Sequence, residues 1–87
     1  MGYMKRNVNF PCQLGDRFFI IAYRERKVTE VECTGFFVNM DIYNSIDEKW
    51  VWVNSVEKPN DFWKVHFDEF EKNCFKSEEE AKLALIR

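Results

Sequence analysis

The amino-acid sequence predicts a mainly β (α+β) fold, namely a small antiparallel SH3-like barrel or strongly bent sheet of about five strands with one C-terminal α-helix. Short apolar segments rich in β-branched and aromatic residues alternate with turn-forming segments. The apolar pattern changes parity once within the longest of these segments, and helical periodicity is clear only in the last dozen residues. An OB-like barrel is the nearest alternative architecture.

The length and the aromatic content indicate one small domain. The chain has 87 residues, of which 17% are aromatic, including nine Phe. Because each buried ring removes about 150–250 Å² from water, these residues can form a core without disulfides or metals. We divide the predicted domain, residues 1–87, into an extended N-terminal arm (1–16), a β region (17–76) and a C-terminal helix (77–86).

The first two predicted strands are joined by a charged hairpin loop at residues 24–27. Residues 17–23, RFFIIAY, are apolar without alternation, which is typical of a strand covered on both faces. From residue 28 the chain alternates, but the apolar positions change parity at Gly35. A β-bulge or sharp bend there would keep both halves of the strand facing the core.

The second half of the predicted sheet contains two longer strands and one short strand. In order, we expect a turn at 44–49, an alternating strand at 50–54 (WVWVN), a turn at 57–61, a half-buried strand over 62–70, a turn at 71–73 and a short strand at 74–75.

The clearest local signal is the helix near the C-terminus. Ser77 is a typical N-cap residue, and three glutamates follow it in the first turn, where the helix dipole favours acidic side chains. Ala81, Ala84 and Leu85 form an apolar stripe at helical spacing. A helix over residues 78–86 is too short to be stable alone, so we expect it to pack on the sheet.

The charge and the cysteines disfavour several classes of protein. Thirteen basic and fifteen acidic side chains give a net charge of −2, which is not typical of a dedicated nucleic-acid backbone binder. Cys12, Cys33 and Cys74 are widely spaced and predict neither a disulfide framework nor a zinc site. We therefore expect small buried thiols, a cytoplasmic location without membrane association, and no metal or other cofactor.

Three segments carry a resemblance to a known group of proteins. They are PCQLGDRFFII near the start, a V-x-C-x-G-F element in the middle, and FKSEEEAKLAL at the end. In these features the chain resembles small phage, prophage and mobile-element proteins of Firmicutes, which begin with Pro-Cys-x-x-Gly-Asp and often end in a Phe-x-Thr-x-Glu-Glu-Ala helix, with Ser77 here in place of the Thr. The resemblance implies a compact barrel, and it suggests an inhibitor of bacterial defence of the anti-CRISPR type, without assigning any site residue.

Nucleophilic catalysis would require a nucleophile beside an oriented base. His66 is the only histidine, and nothing in its spacing places it near one of the three cysteines. The sequence thus predicts no catalytic residue and no enzymatic activity, and it favours an outward-facing imidazole on a half-exposed strand.

The aromatic residues include the strongest candidates for a binding site. Trp50 and Trp52 share one face of their strand, and Tyr43 lies shortly before it. These rings either complete the core or form a flat surface for a protein partner, a proline-rich peptide or a stacked base. We favour a protein partner, because Trp anchors are typical of binding hot spots and the net charge is negative.

A second candidate feature is the acidic C-terminal third of the chain. Asp68, Glu69 and Glu71 would form either a solvated surface or an acidic surface for a basic, nucleic-acid-binding protein. The sequence therefore favours a non-catalytic protein-binding module that inhibits a bacterial defence nuclease. The alternative is a small nucleic-acid-binding accessory protein, in which bases stack on the rings while basic side chains contact the phosphates: Arg17, Arg24, Arg26, Lys27 and Lys64.

Overall fold

A computed structural model describes residues 9–22, 24–40 and 47–86. These residues form one antiparallel sheet of five strands, in the order β4-β3-β2-β1-β5. The strands are β1 Arg17–Ala22, β2 Lys27–Met40, β3 Asp47–Ser55, β4 Phe62–His66 and β5 Cys74–Phe75. The helices are α1 Phe70–Asn73 and α2 Glu78–Leu85, and one turn of 3-10 helix spans Phe67–Glu69. The sheet curls into a half-barrel, which confirms the predicted strongly bent sheet with a C-terminal helix.

The bend in β2 lies where the parity of the sequence changes. Cys33 pairs with Val53 and Gly35 pairs with Trp52, so Thr34 is an extra residue in the β2–β3 ladder. A β-bulge of this kind strengthens the local twist and keeps the apolar residues on both sides of it facing inward. The predicted bulge is therefore confirmed.

The core lies on the inner face of the half-barrel. It is built from residues of four strands that are at most 8% exposed, and Val31, Val51 and Val53 are fully buried. The whole cluster comprises Phe18, Ile20, Val31, Cys33, Val51, Val53 and Val65. Branched and aromatic side chains on successive inward positions give the small domain a continuous apolar layer, which is its main source of stability.

Strand β1 is covered on both faces, as its sequence predicts. Ile21 points away from the inner core but is only 7% exposed. Helix α2 packs against β1, β2 and β5, and its single fully buried residue is Ala81. The helix begins as expected, because the Ser77 Oγ accepts a hydrogen bond from the backbone N–H of Glu80 at 3.2 Å.

Residues 9–16, the described part of the N-terminal arm, attach to the bulged strand. The Gly15 N–H donates to the Cys33 carbonyl at 2.9 Å, and the Cys33 N–H donates to the Asp16 carbonyl at 2.8 Å. Gly15 has a φ of +88°, a left-handed conformation that favours glycine. Phe10 then packs against Phe36, with ring centroids 4.7 Å apart, so the arm covers part of the inner core.

Three predictions along the chain are wrong. β3 already begins at Asp47, within the turn expected at 44–49. The strand expected over 62–70 ends at His66, and the turn expected at 71–73 falls within α1. The chain must cross there from one edge of the curled sheet to the other, and helical turns make this crossing. Tyr23 and residues 41–46 lie outside the described residues.

Candidate binding face

The outer face of the half-barrel consists of two regions. The first region is formed by β1, β5 and the first half of β2, and helix α2 packs on it. Glu78 of the helix lines one cleft together with Phe19 and Glu30 of the outer face. In the second region, formed by β3, β4 and the second half of β2, no other described element covers the sheet. We call the side chains of this region the aromatic face: Phe37, Trp50, Trp52, Phe62, Lys64 and His66.

The strand register places these side chains together. Trp50 is paired with Phe37 on β2 and with His66 on β4, and Trp52 is paired with Lys64. Directly paired residues project from the same side of a sheet. Because the intervening Val51 and its neighbour Val53 point into the core, both Trp side chains project outward. The structure thus places Trp50 and Trp52 on one face, where the alternation predicts them.

Trp50 is at the centre of the aromatic face. The Phe37 ring stacks on it, with centroids 4.9 Å apart and an interplanar angle of 17°. The His66 ring meets it edge-on at 5.5 Å, and the Lys64 Nζ lies 4.2 Å from its centroid. Stacked rings and a cation above a ring are favourable arrangements, so the neighbours of Trp50 hold its side chain in one orientation.

The margins of the aromatic face are the most exposed. Phe62 is 60% exposed and Phe37 is 40% exposed, whereas the two Trp residues are half-buried. Phe62 contacts Trp52, with ring centroids 5.7 Å apart. The rings thus form two contacting pairs on one face, Phe37 with Trp50 and Trp52 with Phe62. Exposed apolar side chains that cluster in this way mark interaction sites on small proteins.

One polar atom of the aromatic face is unsatisfied. The Trp50 Nε1 is buried, and it has no hydrogen-bond partner in the described part of the chain. Buried N–H groups in native proteins nearly always have a partner, and leaving one unpaired costs about 1–3 kcal/mol.

The acidic candidates lie at the end of β4 and beyond it. Asp68 and Glu69 are exposed in the 3-10 turn that follows His66, and the Glu69 carboxylate accepts a hydrogen bond from the Asn73 amide at 3.3 Å. Glu71, on α1, lines a separate cleft that also contains Arg17 and Phe70. Asp68 and Glu69 therefore follow the last residue of the aromatic face, His66, within three positions of the chain. Glu71 lies at another concavity.

The sequence analysis did not identify two residues of the aromatic face, and one of its candidates is not described by the structure. Phe37 and Phe62 were not among the candidates, although the parity of β2 after the bulge and the parity of β4 give their direction. Tyr43, a predicted binding residue, lies outside the described residues.

The three thiols lie in or against the inner core. Cys12, Cys33 and Cys74 are free cysteines, and Cys12 and Cys74 pack against the core cluster that contains Cys33. Burial raises the pKa of Cys12 and of Cys74 to about 12, and it also raises the pKa of Cys33. Such thiols stay protonated near neutral pH and are poor nucleophiles. The sheet separates His66, on the outer face, from the inward-facing Cys33.

No group of three or more His, Cys, Asp or Glu side chains within residues 9–22, 24–40 and 47–86 could hold a metal ion. In the same ranges, neither helix has the length and apolar character needed to cross a bilayer. Comparison with protein-family models, curated proteins and solved structures yields no match for this chain. The resemblance to mobile-element proteins therefore stays a prediction from the sequence.

Proposed function

We propose that this protein is a non-catalytic, cytoplasmic protein-binding module and that the aromatic face is its binding surface. The observation that carries the proposal is the unequal covering of the outer sheet face. Helix α2 packs on one region, whereas no other element of the described residues covers the region around Trp50 and Trp52, which is bordered by the exposed Phe37 and Phe62. Burying such rings against a partner would release ordered water at an energetic gain of about 25 cal/mol for each Å².

The pre-organised rings favour a protein partner. Trp and other aromatic residues are enriched among the residues that contribute most to binding energy, and a rigid ring loses little conformational entropy on binding. Contacts with Phe37, His66 and Lys64 already restrict Trp50. We therefore assign Trp50 and Trp52 as the anchors of the interface.

The resemblance to mobile-element proteins suggests the target, a bacterial defence nuclease with a basic surface. Asp68 and Glu69 are exposed directly after β4 and would orient such a partner by charge. Replacing both of them with Lys should slow association with a basic partner and leave binding unchanged when the partner is not basic. Glu71, which lines the other cleft, is the matched control for this charge reversal.

The first test compares variants in capturing a partner from a bacterial lysate at high salt. Trp52→Ala should abolish the retention of whatever protein the unmodified chain holds, because it removes one of the two anchors. Leu83→Ala truncates an apolar residue that is 57% exposed on α2 and serves as the matched control. Thermal unfolding confirms that both variants are folded. Equal retention by the two variants would show that the aromatic face is not the binding surface.

One observation favours a nucleic-acid-binding accessory protein as a second candidate. The Lys64 ammonium projects from the same face as Phe62, which is 60% exposed, so a phosphate could bind Lys64 while a base stacks on the Phe62 ring. A salt titration with a single-stranded oligonucleotide tests this candidate. Its affinity should fall steeply with salt concentration, whereas an apolar protein interface should respond little.

A further inference from the structure

Strand β4 forms one edge of the sheet in the described part of the chain, with β3 as its only strand neighbour. An edge strand presents unpaired N–H and C=O groups on its open side and can accept a further strand. The direction of the backbone groups of β4 determines which residues could make such bonds.

Two hydrogen bonds define that direction. The Ser55 N–H donates to the Asp61 carbonyl at 2.9 Å, so the carbonyl that immediately precedes β4 points toward β3. Backbone groups of successive residues in a strand point alternately to its two sides. It follows that the backbone groups of Trp63 and Val65 face β3. On the far side of β3, the Val56 N–H donates to the Glu30 carbonyl at 3.0 Å, which agrees with the same alternation.

The N–H and C=O groups of Phe62, Lys64 and His66 therefore point to the open edge. The side chains of these same three residues belong to the aromatic face. A strand placed along β4 would thus form backbone hydrogen bonds with the residues whose side chains border the proposed binding surface. Its own outward side chains would extend that surface beyond Phe62 and Lys64.

The positive charge of Lys64 indicates which side chain the added strand should carry opposite it. The Lys64 side chain is exposed, and within the described residues its ammonium contacts the Trp50 ring and forms no ion pair. Residues directly opposite each other on neighbouring strands interact most favourably when their charges are opposite. Antiparallel pairing of β4 with a second copy in full overlap would place Lys64 against Lys64, which disfavours self-association.

We propose that β4 is a strand-addition site that binds an extended segment of a partner protein with an acidic residue opposite Lys64. This inference rests on the proposed function and specifies how the aromatic face engages its partner. Backbone hydrogen bonds would supply the alignment, and the neighbouring rings would bury the apolar side chains of the segment.

The backbone of His66 provides a selective test. Its φ of −64° and ψ of 145° match the conformation of proline, so His66→Pro removes the outward N–H without backbone strain. His66→Ala is the matched control, because it loses the same imidazole but keeps the N–H. A displayed library of random heptapeptides serves as the probe, selected first on the unmodified chain, and the affinities of the selected peptides are then measured for both variants.

The selected peptides should carry an acidic residue at a central position between alternating β-branched or aromatic residues. They should bind His66→Pro at least tenfold more weakly than His66→Ala, and selection on Lys64→Glu should replace the central acid with a basic residue. Equal binding to the two His66 variants, no selected peptide, or an unchanged preference with Lys64→Glu would overturn the proposal. If Trp52→Ala still abolishes capture from a lysate, the aromatic face stands as the binding surface even when the strand-addition site fails.

Discussion

At the scale of single residues, Trp50 combines a well-packed ring with an unsatisfied N–H. Phe37, Lys64 and His66 surround the ring, whereas the buried Nε1 has no partner in the described part of the chain. The ring contacts favour the folded chain, and the unpaired N–H opposes it. This combination would suit an anchor of the proposed binding surface.

Trp50→Phe should therefore leave the free energy of unfolding nearly unchanged. The shorter ring loses some apolar contact, but the variant no longer buries an unpaired N–H, whose cost is about 1–3 kcal/mol. Urea unfolding followed by circular dichroism measures the difference. A loss of more than about 3 kcal/mol, the range for truncating a large core side chain, would show that Nε1 is satisfied in solution.

The raised pKa of the buried thiols should make the free energy of unfolding depend on pH. Burial raises the pKa of Cys74 from 9.0 to about 12, so the folded chain holds this proton more tightly than the unfolded chain does. The contribution is complete below pH 9 and is lost as the pH rises toward 12. Cys74→Val should therefore lose less stability than the unmodified chain as the pH rises from 9.0 toward about 12, the window set by the two pKa values. The free energy of unfolding is measured by urea unfolding at each pH. An equal loss in the two proteins over this range would contradict this assignment.

At the scale of secondary-structure elements, the sequence predicts correctly those features that depend only on neighbouring residues. The cap at Ser77, the short strand at residues 74–75 and the bulge at Gly35 follow from spacing and parity alone, and the structure contains all three. The end of β4 was predicted too late. Phe67 and Phe70, three residues apart, have a helical spacing, but the alternation before them extended the predicted strand.

The helix cap supplies the prediction at this scale. Ser77→Ala removes the acceptor for the Glu80 N–H and should destabilise the domain by about 1 kcal/mol. Ser77→Asp restores an acceptor and should recover most of the loss. Equilibrium unfolding of both variants measures the effect, and an unchanged midpoint for Ser77→Ala would mean that packing alone, through the buried Ala81, defines the start of α2.

At the scale of the whole molecule, the inner face of the half-barrel holds the apolar core, and helix α2 packs on one part of its outer face. The sequence predicts the curvature and places Trp50 and Trp52 on one face, because parity depends only on each strand itself. It left open whether that face belongs to the core or to the surface. It could not predict that α2 packs on β1, β2 and β5 and that no other described element covers the second region of the outer face, since that choice depends on tertiary packing. Phe37 and Phe62 join the face only through the register of the folded sheet.

The central claim is that this open region is where a partner binds, and hydroxyl-radical footprinting of side chains tests it most directly. The protein is oxidised alone and together with the partner retained from a lysate. Oxidation of Phe37 and Phe62 should decrease in the complex, because these exposed rings would be covered. Leu83 on α2, which is 57% exposed, should be oxidised at the same rate in both samples. Protection of Leu83 with unchanged oxidation of Phe37 and Phe62 would contradict the account.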